Sequence, residues 1–433
     1  MRFPRRGRTS ILAVTTLIAA SALAGCGGGS GSGKDDKSVT IWSSIDQPVQ
    51  DGLNKTLSAE AKAKGITVKW QKVENINQLI MQKIQANDTP DIAFIPQPGV
   101  VADIVKRNKA FPLDNVMDMS SLKSSMIPGT LEAGTVKGKL YGLLVSASNK
   151  SLIFYPKKAW AQAGYTAPTT IDELNALTDK IKSDGNTPWC MGIESDTATG
   201  WPATDWFEDL IMRVGSPQDY KDWVSHKVKF DSDVVKKAAD EFSKLMFTDG
   251  NVLGGRKAIA STNFGTAGNA MFKSPKPGCW MYKQGSFITG FFPKTVTANL
   301  DANVGVFGFP PASAGGDNPV LGAGDMATML DNSKSTQTVM KLLSDKAIGN
   351  EAAGSSSFFS PHKDFDLTKY PNDLTRQVAK VAYGSSEFLF DGSDAMPGEV
   401  GAGTFWKDMT AWISGQEDLG TALKNIDDSW PSS

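Results

Sequence analysis

From residue 39 onward the chain alternates between two hydrophobic periods. Residues 39–42 (Val-Thr-Ile-Trp) and 66–70 (Ile-Thr-Val-Lys-Trp) alternate apolar and polar positions as strands do. Residues 49–64 and 76–86 repeat their apolar positions every three to four residues, as amphipathic helices do. A third strand is expected over residues 91–95 (Asp-Ile-Ala-Phe-Ile), behind the turn signal Asn87-Asp-Thr-Pro90, with another helix starting near Val100. Strands alternating with helices indicate βαβ units, an α/β fold and a mostly parallel sheet. In such sheets ligands sit beyond the carboxyl ends of the strands, so binding residues are sought after Trp42 and Ile95.

A second α/β body is expected to begin after the strand-like residues 141–155. Its clearest helix opens at Thr170-Ile-Asp-Glu173, a capping box, and continues with Leu174, Leu177, Thr178 and Ile181 on one face. Residues 234–246 predict a further helix with Val234, Val235, Ala238, Ala239, Phe242, Leu245 and Met246 on its buried side. No repeat with a period of about 20–50 residues is visible, which argues against a solenoid.

The N-terminus carries targeting information. Arg2, Arg5, Arg6 and Arg8 precede an uncharged run over residues 11–23 that ends in Leu23-Ala-Gly-Cys26, followed by Gly27-Gly-Gly-Ser-Gly-Ser-Gly33. A basic start, a short apolar run and small residues before the cut read as a secretory signal. The run is shorter than the ~20 apolar residues of a membrane span and contains Thr15, Thr16 and Ser21. The cysteine after Leu-Ala-Gly resembles the lipobox of bacterial lipoproteins. The resemblance implies a signal over residues 1–25, acylation of Cys26 and a flexible Gly/Ser tether over residues 26–37. The body then sits lipid-anchored on the outer face of the cytoplasmic membrane.

Removing residues 1–25 takes away four arginines and no acid, lowering Lys+Arg from 45 to 41 against 46 Asp+Glu, a formal charge of −5. That balance argues against nucleic acid as a partner. A body of about 400 residues exceeds one ordinary core, so two lobes are expected. With Cys26 acylated, Cys190 and Cys279 remain. In an oxidising exterior such a pair forms a disulfide; two separate buried thiols are the alternative. His226 and His362 stand at no ligand spacing from a cysteine, which disfavours a metal. Gly322-Ala-Gly-Asp-Met-Ala327 is half a dinucleotide fingerprint, too weak alone to imply a cofactor.

Several blocks are distinctive: Asn186-Thr-Pro-Trp-Cys190, Gly200-Trp-Pro-Ala-Thr-Asp-Trp-Phe-Glu-Asp209, Gly278-Cys-Trp-Met-Tyr282, Gly322-Ala-Gly-Asp325, and Phe390-Asp-Gly-Ser-Asp-Ala-Met-Pro-Gly398. Together they resemble the α-glucoside-type sugar-binding lipoproteins of bacterial ABC importers, within the family-1 extracellular solute-binding proteins and akin to maltose-binding protein. The resemblance spans nearly the whole body. It implies the two-lobe periplasmic-binding-protein (flytrap) fold, with hinge strands, a ligand cleft between lobes and crossings near residues 146–151, 309–312 and 359–362. It places residues 38–147 plus 311–358 in the N-terminal lobe and 148–310 plus 359–433 in the C-terminal lobe. The partners implied are an oligosaccharide and the transmembrane subunits of a permease, with the receptor itself a monomer.

A pyranose has weakly polar C–H faces and a rim of hydroxyls, so its receptor needs aromatic platforms beside carboxylates or amides. Trp201, Trp206, Trp280 and Trp406 lie in segments rich in Gly, Pro, Thr and Asp, which marks them as candidate platforms. Candidate hydroxyl partners are Asp46 after the first strand, Gln97 after the third, Asn149 in the first crossing, Asp205, and Asp325 after the Gly-Ala-Gly turn. Structural readings stand beside these: Asp205 as a helix cap, Asp46 and Asp325 as solvated turn residues, and the tryptophans as core. Pro98 and Gly99 replace the charged pair of the maltose-binding branch, so maltose is not the expected main ligand. A peptide or polyamine receptor and a surface lectin are the rival readings. A glycoside hydrolase is disfavoured because Asp205/Glu208 and Asp391/Asp394 stand three apart and do not straddle a substrate.

Overall fold

Strands β1 (Ser38–Ser43), β2 (Thr67–Lys72) and β3 (Ile92–Ile95) lie parallel, with β1 between the other two, in a computed structural model that describes residues 37–432. The expected signal, Cys26 and the tether up to residue 36 lie outside the described residues. All four side chains of β3 are buried, as expected of a strand covered on both faces. Helices α1 (Gln47–Ala63), α2 (Ile76–Ala86) and α3 (Pro98–Lys106) connect and cover these strands. α1 turns Val49, Leu53, Leu57 and Ala61 inward, and α2 turns Ile76, Ile80 and Ile84.

A short hairpin, β4 (Thr135–Val136) and β5 (Lys139–Leu140), precedes β6 (Gly142–Asn149) and β7 (Leu152–Pro156). The strand-like residues 141–155 thus divide at Lys150–Ser151, where the chain leaves the first sheet. Strand β7 pairs antiparallel with β8 (Tyr282–Lys283) and β9 (Val304–Gly308). The chain then returns as β10 (Val320–Met329), and β11 (Phe388–Phe390) completes the first sheet in the order β11-β10-β3-β1-β2, with β6 beside β10. Among the described residues three of this sheet's five pairings are parallel, and the two antiparallel ones both belong to β10, which runs against β3 and β6. A strand that arrives from beyond the carboxyl ends of β1–β3 has to run down against them.

The second body is mainly helical, and its core is rich in rings, with Trp189, Trp206, Phe207, Trp223, Phe230, Phe242 and Phe309 among its buried residues. The helix Asp233–Met246 buries Val235, Ala238, Ala239, Phe242, Leu245 and Met246. In the helix Ile171–Ser183, the Thr170 hydroxyl accepts from Glu173 N at 3.2 Å, while the Glu173 carboxylate reaches Thr169 N, one residue earlier than a reciprocal box. The Cys190–Cys279 disulfide joins segments 89 residues apart in a smaller apolar cluster under β7. Residues 359–362 pair with the first body instead of leaving it, through the bridges Met126↔His362 and Ala147↔Phe359, and Phe359 packs in the first core. The helix Asp373–Tyr383 already packs Leu374 and Val378 in the cluster under β7, and β11 turns Phe388 and Phe390 to the first core and Leu389 to the second before Met396 lies in the second.

One helix, Trp201–Val214, ties all three crossings together. Its Asp205, Glu208, Asp209 and Arg213 are buried and fall on neighbouring turns. From the first crossing, Lys150 Nζ donates to Asp205 Oδ1 at 2.9 Å and to Asp391, and Ser151 Oγ donates to Asp209 at 2.6 Å. In the second, Arg213 donates to the carbonyls of Phe309 (3.2 Å), Pro310 (3.3 Å) and Pro319 (2.8 Å). In the third, Glu208 accepts from the backbone of Gly392 (2.7 Å) and Ser393 (3.2 Å). Asp209 is paired with both Arg213 and Lys283, each at 2.8 Å. Removing one partner from such a buried pair typically costs about 3–5 kcal/mol. The Arg213→Met variant is therefore expected to lose stability of that order in chemical denaturation. A loss below about 1 kcal/mol would show that the crossings hold without it.

Candidate functional site

The carboxyl ends of the first sheet open into a cavity of about 230 Å³. Ser44 and Asp46 follow β1, Ser146 and Ser148 come from β6, and Asp325 comes from β10. Phe287, on the turn Ser286–Gly290 of the other body, closes the far side. Gly324 precedes Asp325 with φ of 154°, and a Cβ there would stand 2.1 Å from the Ser146 carbonyl oxygen, so only glycine lets the two strands approach this closely. The register shifts between Asp325 and Met326, a bulge that re-aims the strand at the cavity. Burial, and next the neighbouring Asp46 carboxylate, push the Asp325 carboxyl up to about 7. At neutral pH it can therefore donate as well as accept.

Gln97, after β3, donates from Nε2 to Asp394 Oδ1 at 2.9 Å. This bond joins the first body to the short helix Gly392–Ala395 of the second. Burial and the Asp391 carboxylate raise the Asp394 carboxyl to about 7. Trp406 follows the π-helical turn Val400–Phe405, and its Nε1 donates to Ser393 Oγ at 3.2 Å. Gly200 has φ of 116°, and a Cβ there would meet the Trp406 carbonyl oxygen at 2.4 Å. That close approach sets Trp201 beside the Trp406 segment. Trp201 is half-buried, with Phe264 at 4.9 Å, Phe287 at 5.9 Å and Lys150 Nζ 5.0 Å from its ring centre.

Of the candidates, Asp46 and Asp325 line the cavity, Trp201 packs on Phe287 of its lining, and Gln97 and Trp406 are half-buried and bond to the helix Gly392–Ala395. Four other candidates do none of these things. Trp206 is 1% exposed, edge-on to Trp189 and Phe309, and Trp280 is 4% exposed against Tyr165; both are core residues and present no face to a ligand. Trp206 stands five residues after Trp201, about 140° further round the helix, which explains why one ring faces out and the other in. Asp205 is held by Lys150, and burial raises its carboxyl to about 7 against the lowering pull of that ammonium. Asn149 is fully buried, and its Oδ1 accepts from Ser151 N at 3.0 Å, shaping the first crossing.

Sequence reasoning missed Phe287, Asp394 and the cavity serines. Phe287 carries a readable signal, a ring between glycines in Gly285-Ser-Phe-Ile-Thr-Gly290, the same signal that marked Trp201. A larger cavity of about 930 Å³, bordered by Lys123, Glu132, Lys221 and Glu387, has no aromatic ring in its lining.

Residues 42–352 match the family model of bacterial extracellular solute-binding proteins. The chain belongs to this family. Among solute-binding relatives, the osmoprotective compounds-binding protein GgtB of Synechocystis sp. is 35% identical over 418 residues, covering 96% of this chain and 98% of that protein. The alpha-glucosides-binding periplasmic protein AglE of Rhizobium meliloti is 34% identical over 383 residues, 86% of this chain and 82% of its own. The solved structure of the bacterial solute receptor AcbH superposes with a TM-score of 0.75 at 15% identity, covering 90% of this chain and 98% of that one. The fold is the two-lobe fold of periplasmic solute-binding proteins. No helix among the described residues is long and apolar enough to cross a membrane.

The elevated Asp325 carboxyl gives a pH test. The folded state holds this proton more tightly than the unfolded chain, so the group's contribution to stability is present below its ordinary value of 3.8 and is lost as pH rises towards about 7. Asp325→Asn is therefore expected to raise the melting temperature near pH 8 and to leave it nearly unchanged near pH 4. An equal shift at both values would contradict the assignment.

Proposed function

We propose that this protein is the receptor of a carbohydrate ABC importer and that its ligand is an α-glucoside or a related short oligosaccharide. The observation that carries this is the cavity in which Asp46, Asp325 and several serines from one lobe face Phe287 of the other, next to Trp201. Carboxylates and hydroxyls on one side with rings on the other match the hydroxyl rim and C–H faces of a pyranose. The lining contains no lysine, arginine or histidine, so it offers no anchor for a peptide carboxylate. At about 230 Å³ it lies below the ~300–1,000 Å³ typical of drug-sized sites, which suits one or two sugar rings. The names of the relatives, one for alpha-glucosides and one for osmoprotective compounds, support a small polar ligand.

In this reading the sugar acts by closing the cleft. Asp46 and Asp325 hold hydroxyls on one lobe while Phe287, Trp201 and Trp406 cover ring faces from the other, and all of these contacts exist together only in the closed state. The ligand therefore shifts the population towards closure. The closed monomer docks on the transmembrane subunits of a permease, and acylation of Cys26 keeps it at the outer face of the membrane. No bond is made or broken.

Titration calorimetry with α-linked glucosides, a tripeptide and a polyamine tests the assignment. Glucoside binding is expected, and binding of the peptide or polyamine alone would reject it. Covering one ring face contributes about 2 kcal/mol, roughly thirtyfold in affinity. Trp201→Ala and Trp406→Ala are expected to fold and to lose affinity by at least tenfold, whereas Trp206→Ala and Trp280→Ala are expected to lose about 3–5 kcal/mol of stability. Affinities of the first pair within twofold of the parent would misplace the site.

A further inference from the structure

Phe291 is 50% exposed; among the described residues only it and Leu253 are large apolar side chains left exposed. It is not isolated. Its ring lies 5.4 Å from Phe264 and 6.5 Å from Phe287, and both of those rings pack on Trp201, at 4.9 Å and 5.9 Å. The four rings form a closed circuit that starts at the cavity wall with Phe287, half-buried beside the half-buried Trp201, and ends in solvent at Phe291. The outermost ring is also held in place. A Cβ on Gly265 would stand 2.7 Å from Phe291 Cδ1, so the ring packs directly on the backbone there and keeps its other side free. Such a ring costs hydration free energy in the empty protein, and it is rigid enough to serve as a platform without losing rotamer freedom on binding.

We propose that Phe291, backed by Phe264, is an outer subsite that stacks the next sugar unit of a saccharide whose first one or two rings fill the cavity. The proposal rests on the saccharide reading above and extends it to ligand length. The cavity of about 230 Å³ opens outward, and the ring circuit continues from Phe287 on its wall in that direction to Phe291. A longer α-glucoside therefore gains contact at Phe291 that a short one does not reach.

The test is titration calorimetry of the full chain with an α-linked disaccharide and the matching tetrasaccharide, on the parent protein, Phe291→Ala and Phe291→Trp. Phe291→Ala is expected to weaken tetrasaccharide binding about tenfold and disaccharide binding less than twofold, and Phe291→Trp to restore the length preference. Equal losses at both lengths, or no loss at either, would overturn the subsite while leaving the saccharide reading intact. Reduced uptake by cells carrying Phe291→Ala, with both affinities unchanged, would overturn it in favour of a permease-docking role for the ring. A parent protein that binds neither saccharide would overturn the underlying reading and the subsite with it.

Discussion

The structure depends on a set of charges buried where the chain passes between lobes. Crossing segments cannot complete their own backbone pairing, and the second one contains Pro310, Pro311 and Pro319, none of which has an N–H to donate. Carbonyls left there without partners would each cost the desolvation of a polar group. The Arg213 guanidinium supplies donors to three of them. Lys150 and Ser151 serve the first crossing, and Glu208 the third. Asp205, Glu208, Asp209 and Asp391 outnumber Lys150, Lys283 and Arg213, and the excess acid is absorbed by protonation. Burial, with Asp391 and Asp205 nearby, holds the Glu208 carboxyl well above the usual carboxylate range.

This arrangement couples the hinge to the cleft. The helix that carries the charges begins with Trp201, and Lys150 sits over that ring. The third crossing continues through Asp391 into Ser393 and Asp394, which contact Trp406 and Gln97. The second-lobe wall of the cleft is thus built on the element that fixes the crossings, and the first-lobe wall is built on strand ends. A ligand that touches both acts on parts whose relative position the buried charges already constrain.

Much of this was legible in the residues. The strand near Val39 and the helices after it followed from period, because their buried faces repeat cleanly, whereas the strand at Phe94, buried on both faces, was marked by the turn signal before it. Asp46 and Gln97 were found because parallel sheets bind ligands at the edge beyond those strands, and Asp325 was found from the Gly-Ala-Gly segment before it, which lies inside β10. The direction of β10 was not legible, since direction depends on where the chain comes from and leaves no mark on local sequence. Nor was the final crossing, because Phe388-Leu-Phe390 is too short to show a period. Trp201 and Trp206 share a Gly-, Pro- and Thr-rich block, so composition could not separate them. Angular position could: Trp206 stands in a stripe with Leu210 and Arg213, and Trp201 stands at the exposed start of the helix.

The most direct measurement of the central claim is a crystal structure grown with an α-linked glucoside. The account predicts density for the sugar between the Asp46 and Asp325 carboxylates and the Phe287 and Trp201 rings, touched by both lobes, with the Lys150, Asp209 and Arg213 pairs intact. A sugar bound in the larger cavity near Lys221 and Glu387, or held by one lobe alone, would contradict it.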